Sequence, residues 1–420
     1  MRRFIVLFGV IALLFDFYVY QGIKRISADW RSATLRKAVR RGYWIFFIAF
    51  NICFTVVVFQ RFSTGENNDF MKWIMNLFLI FFVTKLVFIL VLFGEDLVRA
   101  GVALIRLIKQ TFSETESDKK LMPGRRKFVS QSALILASIP FASFLYGMVK
   151  GKYQYTVHRS TLFFEDLPAA FDGFKITQLS DIHAGSFDDP EAVQRGIDLA
   201  KAQKGDLFVF TGDLVNDYAT EVVPYINHFK QLKAPFGQFS VLGNHDYGMY
   251  AKWPTEKEKE QNLRDLKQHH ADMGYKLLLD EAVTIEKDGE KLSLIGVENW
   301  GKGFIQIGNL DKALANISKD AFKVLLSHDP SHWEEVVKHH EKHVHLTLSG
   351  HTHGMQFGIE TPVFKWSPAQ FRYKTWAGLA AEAGKMLYVN RGFGFIGFSG
   401  RVGIWPEITV LELRKGKAPA

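Results

Sequence analysis

Five segments of this 420-residue chain end an apolar run on side chains that ligate metals. They carry Asp181 and His183, then Asp213, then Asn244 with His245 and Asp246, then His328, then His351 and His353. Aspartate, histidine and asparagine hold hard-to-borderline divalent cations. The preceding runs, Phe174 to Leu179, Leu207 to Phe210, Phe239 to Leu242, Phe322 to Leu326 and Val344 to Leu348, are short and rich in Val, Ile, Leu and Phe. They read as buried strands. Ligands of open α/β sheets gather beyond the carboxyl ends of strands, and every candidate sits just past such an end. The repetition points to hydrolysis at a pair of metal ions.

The spacing suits that chemistry. In Asp181-x-His183 and His351-x-His353 two ligands are one residue apart, which on an extended segment turns both to the same side. Gly212, Gly243 and Gly350 precede three of the ligand groups, where tight turns and close backbone approach are needed. A carboxylate such as Asp213 can bridge two cations, and Asn244 offers a neutral oxygen. Helix-like stretches at Glu191 to Gln203 and Thr220 to Leu232 separate several strands, so the expected class is a layered α/β domain.

The blocks D-x-H, G-D, G-N-H-D, a lone His and G-H-x-H occur in that order, and together they resemble the calcineurin-like metallophosphoesterases. The resemblance covers roughly Tyr155 to Arg414. It implies a two-sheet β-sandwich flanked by helices. It also implies that Asp181, His183 and His353 bind one metal, that Asn244, His328 and His351 bind the other, and that Asp213 bridges them. His245 becomes the catalytic histidine beside the scissile phosphate, with Asp246 orienting it. The implied reaction is attack of an activated water on phosphorus, with His245 protonating the leaving group. The mixed oxygen and nitrogen donors suit two ions of Mn, Fe or Zn better than Ca. The tail from Tyr388 through Ile408 resembles a membrane-associated bacterial subgroup, whose pattern G-H-T-H-G-G-Q departs here at Met355.

The first third differs in composition. Phe4 to Tyr20, Tyr43 to Phe59, Trp73 to Phe93 and Phe128 to Met148 are each long and apolar enough to span a bilayer, which makes residues 1–150 a bundle of about four membrane helices and 151–420 the phosphoesterase domain. For the first stretch a cleaved signal peptide is the alternative, although no small-residue cleavage site follows it. The loop between the first two spans carries Lys24, Arg25, Arg31, Arg36, Lys37, Arg40 and Arg41. The segment between the third and fourth carries eight more Lys and Arg, whereas the middle loop has only Arg61 and Lys72. Positive loops stay cytoplasmic, so the expected placement is a multi-pass protein of the inner (plasma) membrane with its catalytic domain outside. Gly124-Arg125-Arg126-Lys127-Phe128-Val129 resembles an internal twin-arginine export signal. It implies the twin-arginine machinery as a partner, or else a pair of stop-transfer arginines.

Further details complete the reading. Asp16 and Lys85 lie within spans and are candidates to pair. Leu97 to Phe112 is either a basic amphipathic helix on the membrane surface or an extension of the third span. Phe357 to Trp376 interleaves aromatic residues with Lys365, Arg372 and Lys374, which suits either a membrane interface and a lipid-linked phosphate or packing over the sandwich edge. His339, His340, His343 and His345 are expected to form a solvated helix end. The net charge of +9 resides largely in the cytoplasmic loops, which favours anionic lipid over nucleic acid. The lone Cys53 excludes an intramolecular disulfide. The function these features predict is a membrane-anchored phosphohydrolase cleaving a phosphoester or pyrophosphate, with a phosphorylated, lipid-linked or envelope-derived substrate. The alternatives are a metal-stabilised binding module without catalysis and a transporter regulated by its outer domain.

Overall fold

The computed structural model describes residues 2–64, 68–112 and 123–418. Two compact units divide at Tyr146 and Gly147. In the first, α1 (Arg2–Ile26), α2 (Ala33–Thr64), α3 (Asp69–Phe112) and α4 (Pro123–Val149) each contain a stretch long and apolar enough to cross a membrane. These helices extend beyond the expected spans because polar residues flanking an apolar core continue the same backbone hydrogen bonding. The 44 residues of α3 run without a break through Leu97 to Phe112, about 66 Å at the helical rise. That stretch is therefore an extension of the third span and not a separate surface helix. Residues 113–122 lie outside the described residues, as does the side chain of Arg125.

The bundle buries a polar cluster around Asp16. Asp16 is fully buried and pairs with Lys85. Its carboxylate also accepts from the Tyr43 hydroxyl at 3.0 Å and the Asn51 amide at 2.9 Å. The Lys85 ammonium lies 3.6 Å from the centre of the Phe47 ring. A charge surrounded by apolar helices demands such partners, because hydrocarbon offers none.

In the second unit the chain order is β1 (Thr156–Phe164), β2 (Lys175–Leu179), α5 (Pro190–Lys201), β3 (Leu207–Phe210), α6 (Ile226–Phe229), β4 (Gln238–Ser240), α7 (Glu256–Asp272) and β5 (Lys276–Leu277). Next come β6 (Glu281–Lys287), β7 (Glu290–Gly296), α8 (Leu310–Leu314), β8 (Lys323–Leu326), α9 (Pro330–Glu335) and β9 (Leu346–Ser349). The chain ends with β10 (Ile359–Glu360), β11 (Lys365–Trp366), β12 (Gly378–Glu382), β13 (Lys385–Val389) and β14 (Glu407–Lys415). Two six-stranded sheets result, ordered β1-β14-β2-β3-β4-β5 and β12-β13-β9-β8-β7-β6, with β10 and β11 forming a separate ribbon.

Alternation along each strand assigns the layers. Leu207 and Val209 of β3 join Leu294, Val324, Leu326 and Leu346 in the core between the sheets. Phe208 and Phe210 point the other way, against Val193 and Ile197 of α5. On the far side Ile295, Leu325 and Leu387 pack with Trp333 of α9. This is the expected two-sheet sandwich with helices outside. At Asp288-Gly289, φ values of 50° and 81° make the tight turn of the β6–β7 hairpin, a dipeptide suited to positive φ at both turn positions.

Two expectations change. Thr220 to Leu232 is mostly a 3-10 helix (Ala219–Tyr225) before the single turn of α6, because Pro224 interrupts α-helical hydrogen bonding there. The four histidines are only in part a solvated helix end: His339 is exposed at the end of a 3-10 turn (Val337–His339). His345 is buried, receives the Lys323 backbone N–H at 3.0 Å and pairs with Asp166 at 2.7 Å. The strand that begins at Leu346 draws its neighbour into the sheet edge.

Candidate metal centre

The loops that follow β2, β3, β4, β8 and β9 meet at one end of the sandwich. Within the sheets β2, β3 and β4 run parallel, as do β8 and β9, so the five carboxyl ends face the same way. Hydrogen bonds join the two sheets there. Gln178 donates to the Ser349 carbonyl at 2.9 Å, and His328 Nδ1–H to the Thr211 carbonyl at 2.8 Å. The His351 N–H donates to Asp181 Oδ1 at 2.9 Å. Close approach explains Gly350, where a Cβ would lie 1.9 Å from Ser180 Oγ and 2.1 Å from Asp181 Oδ2. Gly212 combines φ 96° with a would-be Cβ 2.6 Å from the Gly243 nitrogen.

Six of the seven expected ligands fall into two clusters, each with its donor atoms within 4.8 Å of one another: Asp181, His183 and His353, then Asp213, His328 and His351. Asp213 Oδ2 reaches across both, 3.6 Å from His183 Nε2 and 3.1 Å from His328 Nε2. Asn244, the seventh, adds an oxygen. Its Nδ2 donates to the Tyr250 hydroxyl at 2.9 Å, which leaves Oδ1 buried and unpartnered. His183 Nε2 and His353 Nε2 are buried without a hydrogen-bond partner as well. Buried acceptors of this kind are costly, and a group of them on one cavity fits cations. The donor set fits two divalent metal ions.

Electrostatics agree. Burial pushes the Asp181 carboxyl up to about 6 and the His183 imidazole down to about 3. Burial also opposes charge on His328, yet the Asp213 carboxylate beside it raises that imidazole to about 10. Asp213 is itself held well below the usual carboxylate range, against its burial, by His328 and His245.

The backbone departs from the expected extension. Asp181, His183, Asp213, His351 and His353 have φ between 49° and 69°, the left-handed region that non-glycine residues rarely occupy. The one-residue spacing does bring each pair to one cavity, but through strained turns and not through a strand. Met355 has φ 50°, which shows why the related subgroup has glycine there.

His245 lines the same cavity, and its Nδ1–H donates to the Asn216 carbonyl at 2.7 Å. The orienting role expected of Asp246 is corrected here. Its carboxylate accepts from the backbone N–H groups of Asp213, Leu214 and Gly243 at 2.8–2.9 Å, so it shapes the loops, while Asn216 orients His245. The turn from Gly243 to Asp246 directs the carboxylate back into its own backbone.

Residues outside the motifs complete the cavity of about 190 Å³. The Tyr373 hydroxyl lies 2.8 Å from His351 Nε2, with Asp329 Oδ2 at 3.4 Å from the same atom. Phe304 packs edge-on to His351, ring centres 4.7 Å apart. Arg401 is fully buried, with Nη2 3.0 Å from His353 Nδ1. Arg372, Tyr373 and Met355 lie in or beside the aromatic–basic stretch singled out in sequence, whereas Tyr250, Asn216, Phe304 and Arg401 carry no local signal. That stretch divides: Trp376 packs with Ala369 and Ile404, while Phe364 and Phe371 are exposed.

Fold and site together define a membrane-embedded α/β phosphoesterase. Residues 174–355 match the family model for the calcineurin-like phosphoesterase domain. Residues 1–152 match the model described as a probable calcineurin-like phosphoesterase transmembrane domain. The chain is similar to the uncharacterized metallophosphoesterase YkuE of Bacillus subtilis, 31% identical over 258 residues, 59% of this chain and 82% of that protein. YkoQ of the same organism is 28% identical over 67% of this chain and 98% of its own length. The UDP-2,3-diacylglucosamine pyrophosphatase LpxG of Chlamydia trachomatis is 25% identical over 54% of this chain and 81% of its own. The chain belongs to the calcineurin-like metallophosphoesterases and is a hydrolase of the membrane.

Proposed function

We propose that residues 151–420 form a dinuclear phosphohydrolase, anchored by residues 1–150, that cleaves a pyrophosphate or phosphodiester bond in a lipid-linked envelope substrate. The observation that carries it is the pair of donor clusters, Asp181 with His183 and His353 and Asp213 with His328 and His351, at a cavity that His183, Asp213, Asn244, His351 and His353 line beside His245. In this reading Asp181, His183 and His353 would hold one ion, Asn244, His328 and His351 would hold the other, and Asp213 would serve both. Such ions, Mn, Fe or Zn, would supply Lewis acidity and an activated water. His245, with Nδ1–H tied to the Asn216 carbonyl, transfers a proton at Nε2 to the departing oxygen.

The lipid-linked assignment is supported by the membrane helices, by the exposed Phe364 and Phe371 on the segment beyond His353, and by the pyrophosphatase among the relatives. The extracytoplasmic placement of the domain rests on the charge of the loops.

The test is hydrolysis of a chromogenic phosphodiester and its matching monoester by the full chain in detergent, with Mn, Fe or Zn supplied in turn. Asp213→Ala is expected to abolish turnover and bound metal together, and His245→Ala to abolish turnover while retaining metal. Activity in Asp213→Ala at the wild-type level refutes the shared carboxylate.

A further inference from the structure

The catalytic cavity has a cation on its wall that nothing so far uses. Arg372 lines the same cavity as His183, Asp213, His245 and His351. Its guanidinium carbon stands 4.6 Å from the centre of the Phe304 ring and 5.5 Å from that of Tyr373. Both rings are fixed by a candidate metal ligand: Phe304 packs on His351, and the Tyr373 hydroxyl meets His351 Nε2. Among the described residues no carboxylate pairs with Arg372. Its Nη2 donates to the Lys302 carbonyl at 3.3 Å, and its side chain also bonds to that of Tyr373.

An exposed arginine without a carboxylate ordinarily samples many rotamers. Here two aromatic faces hold it against the metal cavity. A guanidinium so placed presents a planar fork for phosphoryl oxygens. It is separate from the histidine and carboxylate donors, so it can neutralise a second anionic group while the first occupies the ions.

We infer that Arg372 is a specificity-determining residue that binds the second phosphoryl group of a P–O–P substrate, so that the enzyme prefers pyrophosphate diesters to esters with a single phosphate. This rests on the hydrolytic reading of the cavity. In the reaction a water oxygen bonds to one phosphorus. The bridging oxygen leaves with the other phosphoryl group, which Arg372 holds, and takes up a proton.

The experiment compares the full chain with Arg372→Gln and Arg372→Lys, in neutral detergent free of phospholipid, so that a lipid headgroup cannot supply the anion. One probe is a nucleoside diphosphate sugar, and the other is a single-phosphate chromogenic diester. Arg372→Gln is expected to raise KM for the first about tenfold or more, the scale of one charge-assisted hydrogen-bonded pair. kcat stays similar, the second probe is unaffected, and Arg372→Lys recovers part of the loss. A second arm measures binding alone, as protection from thermal unfolding by a non-hydrolysable α,β-methylene diphosphate diester against a monophosphate diester. Wild type is expected to bind the diphosphate more tightly, and Arg372→Gln to lose that preference. Equal losses on both probes, or an unchanged preference in Arg372→Gln, overturns the inference. Wild type that turns over neither probe yet keeps an Arg372-dependent diphosphate preference refutes the hydrolytic reading and sustains the subsite.

Discussion

Two tyrosine hydroxyls set the orientation of donors that point at the metal cavity. Tyr250 takes one N–H of Asn244 and leaves Oδ1 facing inward. Tyr373 meets His351 at Nε2 and leaves Nδ1, 3.2 Å from His328 Nε2, toward the cluster. Loss of such outer partners typically weakens metal affinity 10–100-fold. Tyr250→Phe and Tyr373→Phe are each expected to lower it by about tenfold, read by metal titration, with little change in the metal-free melting temperature. Met355 offers the converse case. It is exposed and holds φ 50°, a conformation that costs a side chain about 1–2 kcal/mol and glycine nearly nothing. Glycine loses part of that advantage through the entropy of the unfolded chain. Met355→Gly is therefore expected to stabilise the protein by about 0.5–1 kcal/mol in denaturant unfolding.

At the scale of elements, α7 is tied to the sheet through His270, which is fully buried with Nδ1 2.9 Å from Ser240 Oγ of β4. Burial, with His269 adding to it, depresses this imidazole to about 3. The unfolded chain then binds the proton more readily than the folded one. Stability is complete above pH 6.5 and falls as pH drops from 6.5 toward 3, with a slope of up to about 1.4 kcal/mol per pH unit. Unfolding free energies across that window are expected to fall less steeply in His270→Asn, and equal slopes would remove His270 as a source of acid lability. The same scale explains the ligand loops. Strand direction places all five at one end, but their left-handed turns arise where parallel strands from two sheets stop against each other, at Gly212 and Gly350 above all.

For the whole molecule the prediction concerns the side of the membrane. The catalytic domain is proposed to lie outside. In a Cys53→Ala background, Lys257→Cys is expected to react with a membrane-impermeant maleimide in intact cells. Lys37→Cys is expected to react only after permeabilisation. The reverse pattern relocates the active site to the cytoplasm and changes the substrate pool with it. Both positions are exposed, so reagent access decides the result.

The sequence by itself determined the class. Metal-ligating residues cannot be replaced without loss of the chemistry, and apolar stretches must match the bilayer, so both remain legible as local patterns. It also marked Asp16 and Lys85, because isolated membrane charges demand partners. Tertiary structure decided what depends on residues distant in the chain. It replaced Asp246 by the Asn216 carbonyl as the group that orients His245, and it brought Tyr250, Tyr373, Phe304 and Arg401 around the ligands. It also joined Leu97 to Phe112 to the third span, and it buried His345. Hydrogen bonds and ring contacts between separate loops follow no spacing rule, since their partners are chosen by the packing of two sheets and not by the neighbours in sequence.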